Sequence, residues 1–116
     1  MCTQIQALSI LEAVYLQCAQ LFPCAIQNAY LYGSYARGDY RAESDVDILL
    51  TVDADDVAPL RKIAASVSSN LSLEHDVTVS VSLKPAAQFQ QYRDTLPFYR
   101  NLLREGICHA RRSRLR

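Results

Sequence analysis

The sequence has no apolar run near the roughly 18 residues that a membrane span requires. Its first turn has no basic residues ahead of an apolar segment, and Glu12 interrupts the only candidate, so a secretory leader is not expected. The expected compartment is the cytoplasm, without membrane association. No Cys-x-x-Cys pair occurs among Cys2, Cys18, Cys24 and Cys108, and no histidine stands at finger-like spacing, which argues against a zinc site. Without export signals a disulfide framework is not expected either, leaving buried or incidental thiols. Internal repeats and low-complexity linkers are also missing. Net charge is absent too, since 12 basic residues balance 12 acidic ones.

What remains is an ordinary globular composition. The 116 residues are half apolar and 21% charged, which implies one domain able to bury roughly two-thirds of its unfolded surface. The neutral total conceals two opposed halves. Residues 1–60 set Arg37 and Arg41 against eight acids, whereas residues 61–116 set ten bases against four acids. Four of those bases lie in Arg111-Arg112-Ser113-Arg114-Leu115-Arg116. Such a tail either attracts phosphates or nucleic acid, or is a solvated, disordered terminus. The expected division is a domain over 1–110 and a disordered basic tail over 111–116, with nucleic acid not expected as the main partner.

Hydrophobic spacing outlines the elements. Thr3 is placed to cap a helix running to about residue 21, with Ile5, Leu8, Leu11 or Glu12, Tyr15 and Ala19 as its apolar stripe. Phe22-Pro23 ends it. Residues 25–32 form a short buried strand, and a short helix is expected over 35–40 after Gly33-Ser34. Alternation is clearest over 45–52, with Val46, Ile48, Leu50 and Val52 on one face and Asp45, Asp47, Leu49 and Thr51 on the other. A helix over 57–71 turns Leu60, Ile63, Ala64, Val67 and Leu71 inward, with Pro59 tolerated in its first turn. A second alternating strand is expected over 76–83, with Asp76, Thr78, Ser80 and Ser82 on one face. Helices from Pro85 to about 92 and from Pro97 to about 104 follow, the latter stopped by Gly106. The expected class is α/β (α+β), with a small mixed sheet of three or four strands and helices packed on one face.

One stretch carries chemistry: Gly33-Ser34-Tyr35-Ala36-Arg37-Gly38-Asp39-Tyr40-Arg41-Ala42-Glu43-Ser44-Asp45-Val46-Asp47-Ile48-Leu49-Leu50. A strand ends in a Gly-Ser turn that opens a helix. The glycine lets backbone approach a ligand, and free amides together with the Ser34 hydroxyl suit a phosphate. Further on, Asp45 and Asp47 alternate on a strand and so point the same way, about 6–7 Å apart. Paired carboxylates repel unless a cation neutralises them. Oxygen ligands of this kind suit magnesium, which also binds substrate phosphates. The combination points to metal-dependent phosphoryl or nucleotidyl transfer. The competing reading has the two acids capping loop amides and Gly-Ser serving as a mere turn.

Gly-Ser, ten residues, then Asp-x-Asp resembles the signature of the DNA polymerase β-like nucleotidyltransferase superfamily. The fuller form over 33–50 resembles the minimal nucleotidyltransferases, including the antitoxins of HEPN/MNT toxin–antitoxin pairs. The resemblance implies that Gly33 and Ser34 hold the triphosphate of a nucleotide, ATP as substrate, and that Asp45 and Asp47 bind magnesium, two ions in all. Arg37, one helical turn after Ser34, either reaches the same phosphates or makes a salt bridge to Asp39 or Glu43. Ser44 is expected to hydrogen-bond the turn before Asp45 and so orient a ligand.

The family usually adds a third carboxylate from a neighbouring strand, for which Asp76 is the candidate and Glu74 a weaker one. Ser80 shares the face of Asp76 about 13 Å further along. Should the register set Ser80 opposite the pair, the third acid is missing. His75 and His109 are expected at the surface. Phe89, Tyr92, Phe98 and Tyr99 read as core or docking surface, and Arg93, Arg100 and Arg104 either line a cationic side of the cleft or face solvent.

The implied function is transfer of a nucleoside monophosphate, AMP from ATP, to a hydroxyl on a protein partner, a HEPN-type toxin that the chain restrains as its antitoxin. The alternative is a catalytically degenerate nucleotide-binding module that neutralises or scaffolds its partner by contact. A chain of this length is not expected to hold a separate acceptor domain, so the acceptor is expected from a partner or another copy, in a hetero- or homo-oligomer.

Overall fold

The computed structural model describes residues 2–22 and 25–110; Cys24 and the basic tail over 111–116 lie outside them. The chain runs α1 (Gln4–Leu21), β1 (Ile26–Tyr32), α2 (Ser34–Arg37), β2 (Val46–Val52), α3 (Ala58–His75), β3 (Val79–Pro85), α4 (Ala86–Tyr92), α5 (Pro97–Glu105) and β4 (Ile107–Ala110). The strands form one open sheet in the order β3-β2-β1-β4. β1 pairs antiparallel with both β2 and β4, while β2 and β3, joined through α3, run parallel.

α1 starts where its capping residues dictate. The Thr3 hydroxyl accepts the Gln6 amide at 3.1 Å and the Gln6 side chain accepts the Thr3 amide at 2.8 Å. Its buried face differs from the expected stripe. Ala7, Ile10, Leu11, Val14, Tyr15 and Cys18 point inward, whereas Ile5 is 79% exposed and Leu8 lies outward. The helix is apolar on more than one side, so spacing alone selects no face, and packing on the sheet decides.

Val46, Ile48 and Leu50 of β2, with Ala29 and Leu31 of β1 and Val79 and Leu83 of β3, share one core with the buried faces of α1 and α3. The two long helices thus cover one face of the sheet, while α4 and α5, expected on that face too, pack on the other. The other face carries a smaller cluster, in which Tyr30 and Leu49 meet Phe89 of α4 and Tyr99 and Leu102 of α5. These short helices pack on Tyr30 and Leu49 of that face, whereas Asp45, just before β2, is exposed and Asp47 is half-buried.

α3 runs one turn beyond its expected end, because Ser72, Leu73 and Glu74 contain no helix breaker. It stops where Asp76 adopts a left-handed conformation, with φ 54° and ψ 46°. The Ser72 hydroxyl then accepts the Val79 amide at 2.9 Å, fixing the start of β3. Asp76 is therefore the cap of a helix and not the first residue of a strand, a correction to the sequence expectation. The hydrogen bond and the left-handed cap together set the register that follows.

Candidate active site

The motif folds as a turn, a single helical turn and a strand held against one another. β1 ends at Tyr32 and the chain turns at Gly33, with φ 79° and ψ −156°, conformations that only glycine adopts readily. α2 is shorter than expected, ending at Arg37 because Gly38 enters the left-handed region at φ 93°. Tyr35 anchors it. Its fully buried ring stacks on Tyr40 at 4.4 Å, and its hydroxyl donates to the Cys2 carbonyl at 3.3 Å. The Gln4 side chain donates to the Tyr35 carbonyl at 2.9 Å. The first amides of α2 have no intrahelical acceptors, as at any helix start.

Asp47 lies beside this turn. In the antiparallel register it pairs with Tyr32, one residue before Gly33. A Cβ at position 33 would stand 2.7 Å from the Asp47 Oδ2, so glycine is what permits the carboxylate to lie against the turn. Two residues earlier, Asp45 is exposed, and Asp47 is half-buried. Burial, followed by the charge of Asp45, holds the Asp47 carboxyl above its usual range. Burial also pushes the Tyr32 phenol up, with the Asp47 charge adding to it and a hydrogen bond to Ser82 opposing it.

Among the described residues, neither the Asp45 nor the Asp47 side chain takes part in a hydrogen bond or salt bridge. That speaks against the reading in which they cap loop amides. The turn is closed by another residue: the Ser44 hydroxyl accepts the Arg41 amide at 2.8 Å, the structural task expected of it. Two unpaired carboxylates beside a glycine turn are a donor set that fits one hard divalent cation.

The third acid does not join them. β2 and β3 pair in parallel with Asp47 level with Ser80, so the residue facing the pair from β3 is a serine. Asp76 stays in its helix cap, and Glu74 lies within α3 with its carboxylate 3.9 Å from His75. Among the described residues, no group of three His, Cys, Asp or Glu side chains is placed to hold a metal. Arg37 takes its second expected role: it is 3.2 Å from Asp39, and it also approaches Glu105 at 3.9 Å, which the sequence did not suggest.

Sequence reasoning did not find the hollow next to the pair. A cavity of ≈ 410 Å³ is lined by Leu49, Ser82, Lys84, Gln88, Phe98 and Tyr99. Leu49 and Ser82 lie one pleat along from Asp47 and Ser80. Phe98 is exposed and meets Tyr32 edge-on at 5.4 Å, whereas Phe89 and Tyr99 are core. Arg93, Arg100 and Arg104 gather around a separate hollow with Asp94 and Leu103. His109 packs on Tyr15 at 4.6 Å, away from the acids. No helix among the described residues is long and apolar enough to cross a membrane.

With the sheet, the glycine turn and the acid pair in place, comparison with known proteins defines the class. The model of the nucleotidyltransferase domain family matches residues 11–107, and the chain belongs to that family. A protein of Methanocaldococcus jannaschii whose name proposes a protein adenylyltransferase is 35% identical over 81 residues, 70% of this chain and 75% of that protein. A second protein of the same organism, named in the same way, is 38% identical over 55 residues, 47% of this chain and 56% of that one. Among solved structures, a proposed nucleotidyltransferase from Sulfolobus solfataricus superposes with TM-score 0.64 at 20% identity, over 96% of this chain and 86% of its own. An MntA-HpeT toxin–antitoxin structure superposes with TM-score 0.53 at 16% identity, over 97% of this chain and 77% of that one. At these identities the likeness of the structures is one of fold.

Proposed function

We propose that this chain binds ATP with magnesium at the Gly33-Ser34 turn and the Asp45–Asp47 pair, and transfers AMP to a hydroxyl on a protein partner. The observation that carries the reading is the contact between Gly33 and Asp47. It sets the glycine turn at the start of α2 against one member of an unneutralised acid pair, and glycine is required for it. The names of the Methanocaldococcus jannaschii relatives support a protein as acceptor. The toxin–antitoxin neighbours, one of them holding AMP-PNP, support a toxin partner and a nucleotide. A HEPN-type toxin restrained by this chain as its antitoxin is the partner proposed, in the cytoplasm.

Magnesium, when bound, would neutralise the triphosphate and polarise its α-phosphorus. Asp45 and Asp47 would hold it, Gly33 and the Ser34 hydroxyl would bind phosphate oxygens, and Ser44 would keep the loop that aims Asp45. Arg37 would contribute to the phosphates by exchanging its exposed partners Asp39 and Glu105. The acceptor oxygen would form a bond to the α-phosphorus as the bond to the pyrophosphate oxygen breaks. The hydroxyl proton would leave to water and pyrophosphate would depart. The chain's contribution is positioning and charge.

The serine level with Asp47 favours a second reading, a module that binds nucleotide and neutralises its partner by contact without transfer. The two are separated by incubating the protein with α-labelled ATP, magnesium and a HEPN-type toxin. Label on the toxin that vanishes in Asp47→Ala supports transfer. An unlabelled toxin still held tightly by both forms supports the contact reading.

A further inference from the structure

We propose that Ser80 limits this site to one divalent cation, the ion that accompanies the triphosphate, and that the chain itself holds no second ion. The inference rests on the nucleotide reading above and deepens it. Adjacent residues of paired strands project to the same side of a sheet, so Ser80 faces the ligand from the strand next to Asp47, about 4.8 Å away between backbones. The side chains that β3 and its lead-in turn to this face are Thr78, Ser80, Ser82 and Lys84: three neutral hydroxyls and a cation. From β1 the matching contributions are Tyr32 and Tyr30.

Asp45 and Asp47 are thus the carboxylates that the strands and their lead-ins offer at this face, and Glu105 of α5 faces Arg37 at 3.9 Å instead. Two ions held roughly 3.5–4 Å apart repel each other and need carboxylate ligands beyond those that hold a single ion. The two acids and the phosphate oxygens supply ligands for the ion that accompanies the nucleotide, and β3 adds no carboxylate for another. Ser80 is exposed, so an acid placed there costs no buried polarity. Its hydroxyl has no hydrogen-bond partner among the described residues, so nothing in the fold depends on it.

The test counts Mn²⁺ bound per chain by electron paramagnetic resonance, at saturating α,β-methylene-ATP, which cannot transfer AMP. Wild type and Ser80→Asn should hold one ion, and Ser80→Asp two. The second ion should bind Ser80→Asp at least about tenfold tighter than wild type, since affinity follows the ligand charge count. Circular dichroism checks that each variant is folded. Two ions in wild type, or still one in folded Ser80→Asp, would overturn the proposal. Asp47→Ala provides the separate control. If it keeps the analogue-dependent ion, the nucleotide reading itself fails, and this inference with it.

Discussion

Replacing Gly33 by alanine probes the contact on which the site depends. The backbone at φ 79° and ψ −156° lies in a region nearly restricted to glycine, where other residues cost about 1–3 kcal/mol. The added Cβ would stand 2.7 Å from Asp47 Oδ2 and 3.6 Å from its Cγ. β2 lies between β1 and β3, so its backbone cannot retreat and the Asp47 side chain must rotate instead. An off-rotamer side chain adds about 0.5–1.5 kcal/mol. A total near 2–3 kcal/mol corresponds to a fall in Tm of about 8–12 °C for a domain of this size. Gly38→Ala is the matched control, because φ is also positive, at 93°, but nothing lies within 4 Å of the new Cβ. It should cost about 1–2 kcal/mol and leave the site intact. Thermal unfolding by circular dichroism and calorimetric titration with magnesium and α,β-methylene-ATP read both effects. Gly33→Ala should lose most nucleotide affinity and Gly38→Ala none. If the two variants melt together and bind the analogue alike, the proposed dependence of Asp47 on Gly33 is wrong.

Two further predictions follow from the same geometry. Burial and the neighbouring Asp45 raise the pKa of Asp47 above 3.8, so stability from this group is complete below that value and is lost as pH rises through the raised one. In metal-free protein at neutral pH, Asp47→Asn should therefore melt above wild type, with the gap closing on acidification and nucleotide binding lost; a lower Tm at neutral pH would contradict this. Asp76→Gly should stabilise the fold by about 0.5 kcal/mol, by relieving a left-handed non-glycine residue at a helix end, and should leave Mn²⁺ binding unchanged; loss of the ion would return Asp76 to the site.

Much of the site was legible because its signals are local. Alternation from Asp45 to Val52 assigned the two faces of β2 correctly, since a strand's period fixes its faces. The Thr3 cap and the Gly106 stop were equally local. Register was not legible. Whether Asp76 or Ser80 faces Asp47 depends on where α3 ends, and that is set by a serine hydroxyl seven residues before the strand and by a left-handed aspartate. Neither carries a one-residue signature. The inward face of α1 was misread for a related reason: Ile5 and Leu8 are as apolar as Ile10 and Leu11, and only the sheet distinguishes them. The hollow next to the pair could not be read either, because it joins β2 and β3 to α4 and α5 across more than 30 positions of sequence.

The most direct test of the central claim is a map of backbone amide shifts on adding magnesium with α,β-methylene-ATP to isotope-labelled protein. Changes should concentrate at Gly33–Arg37 and Ser44–Asp47 and extend to Ser80, all of them lost in Asp47→Ala. Shifts centred instead on Arg93, Arg100 and Arg104, or none at all at saturating analogue, would contradict it.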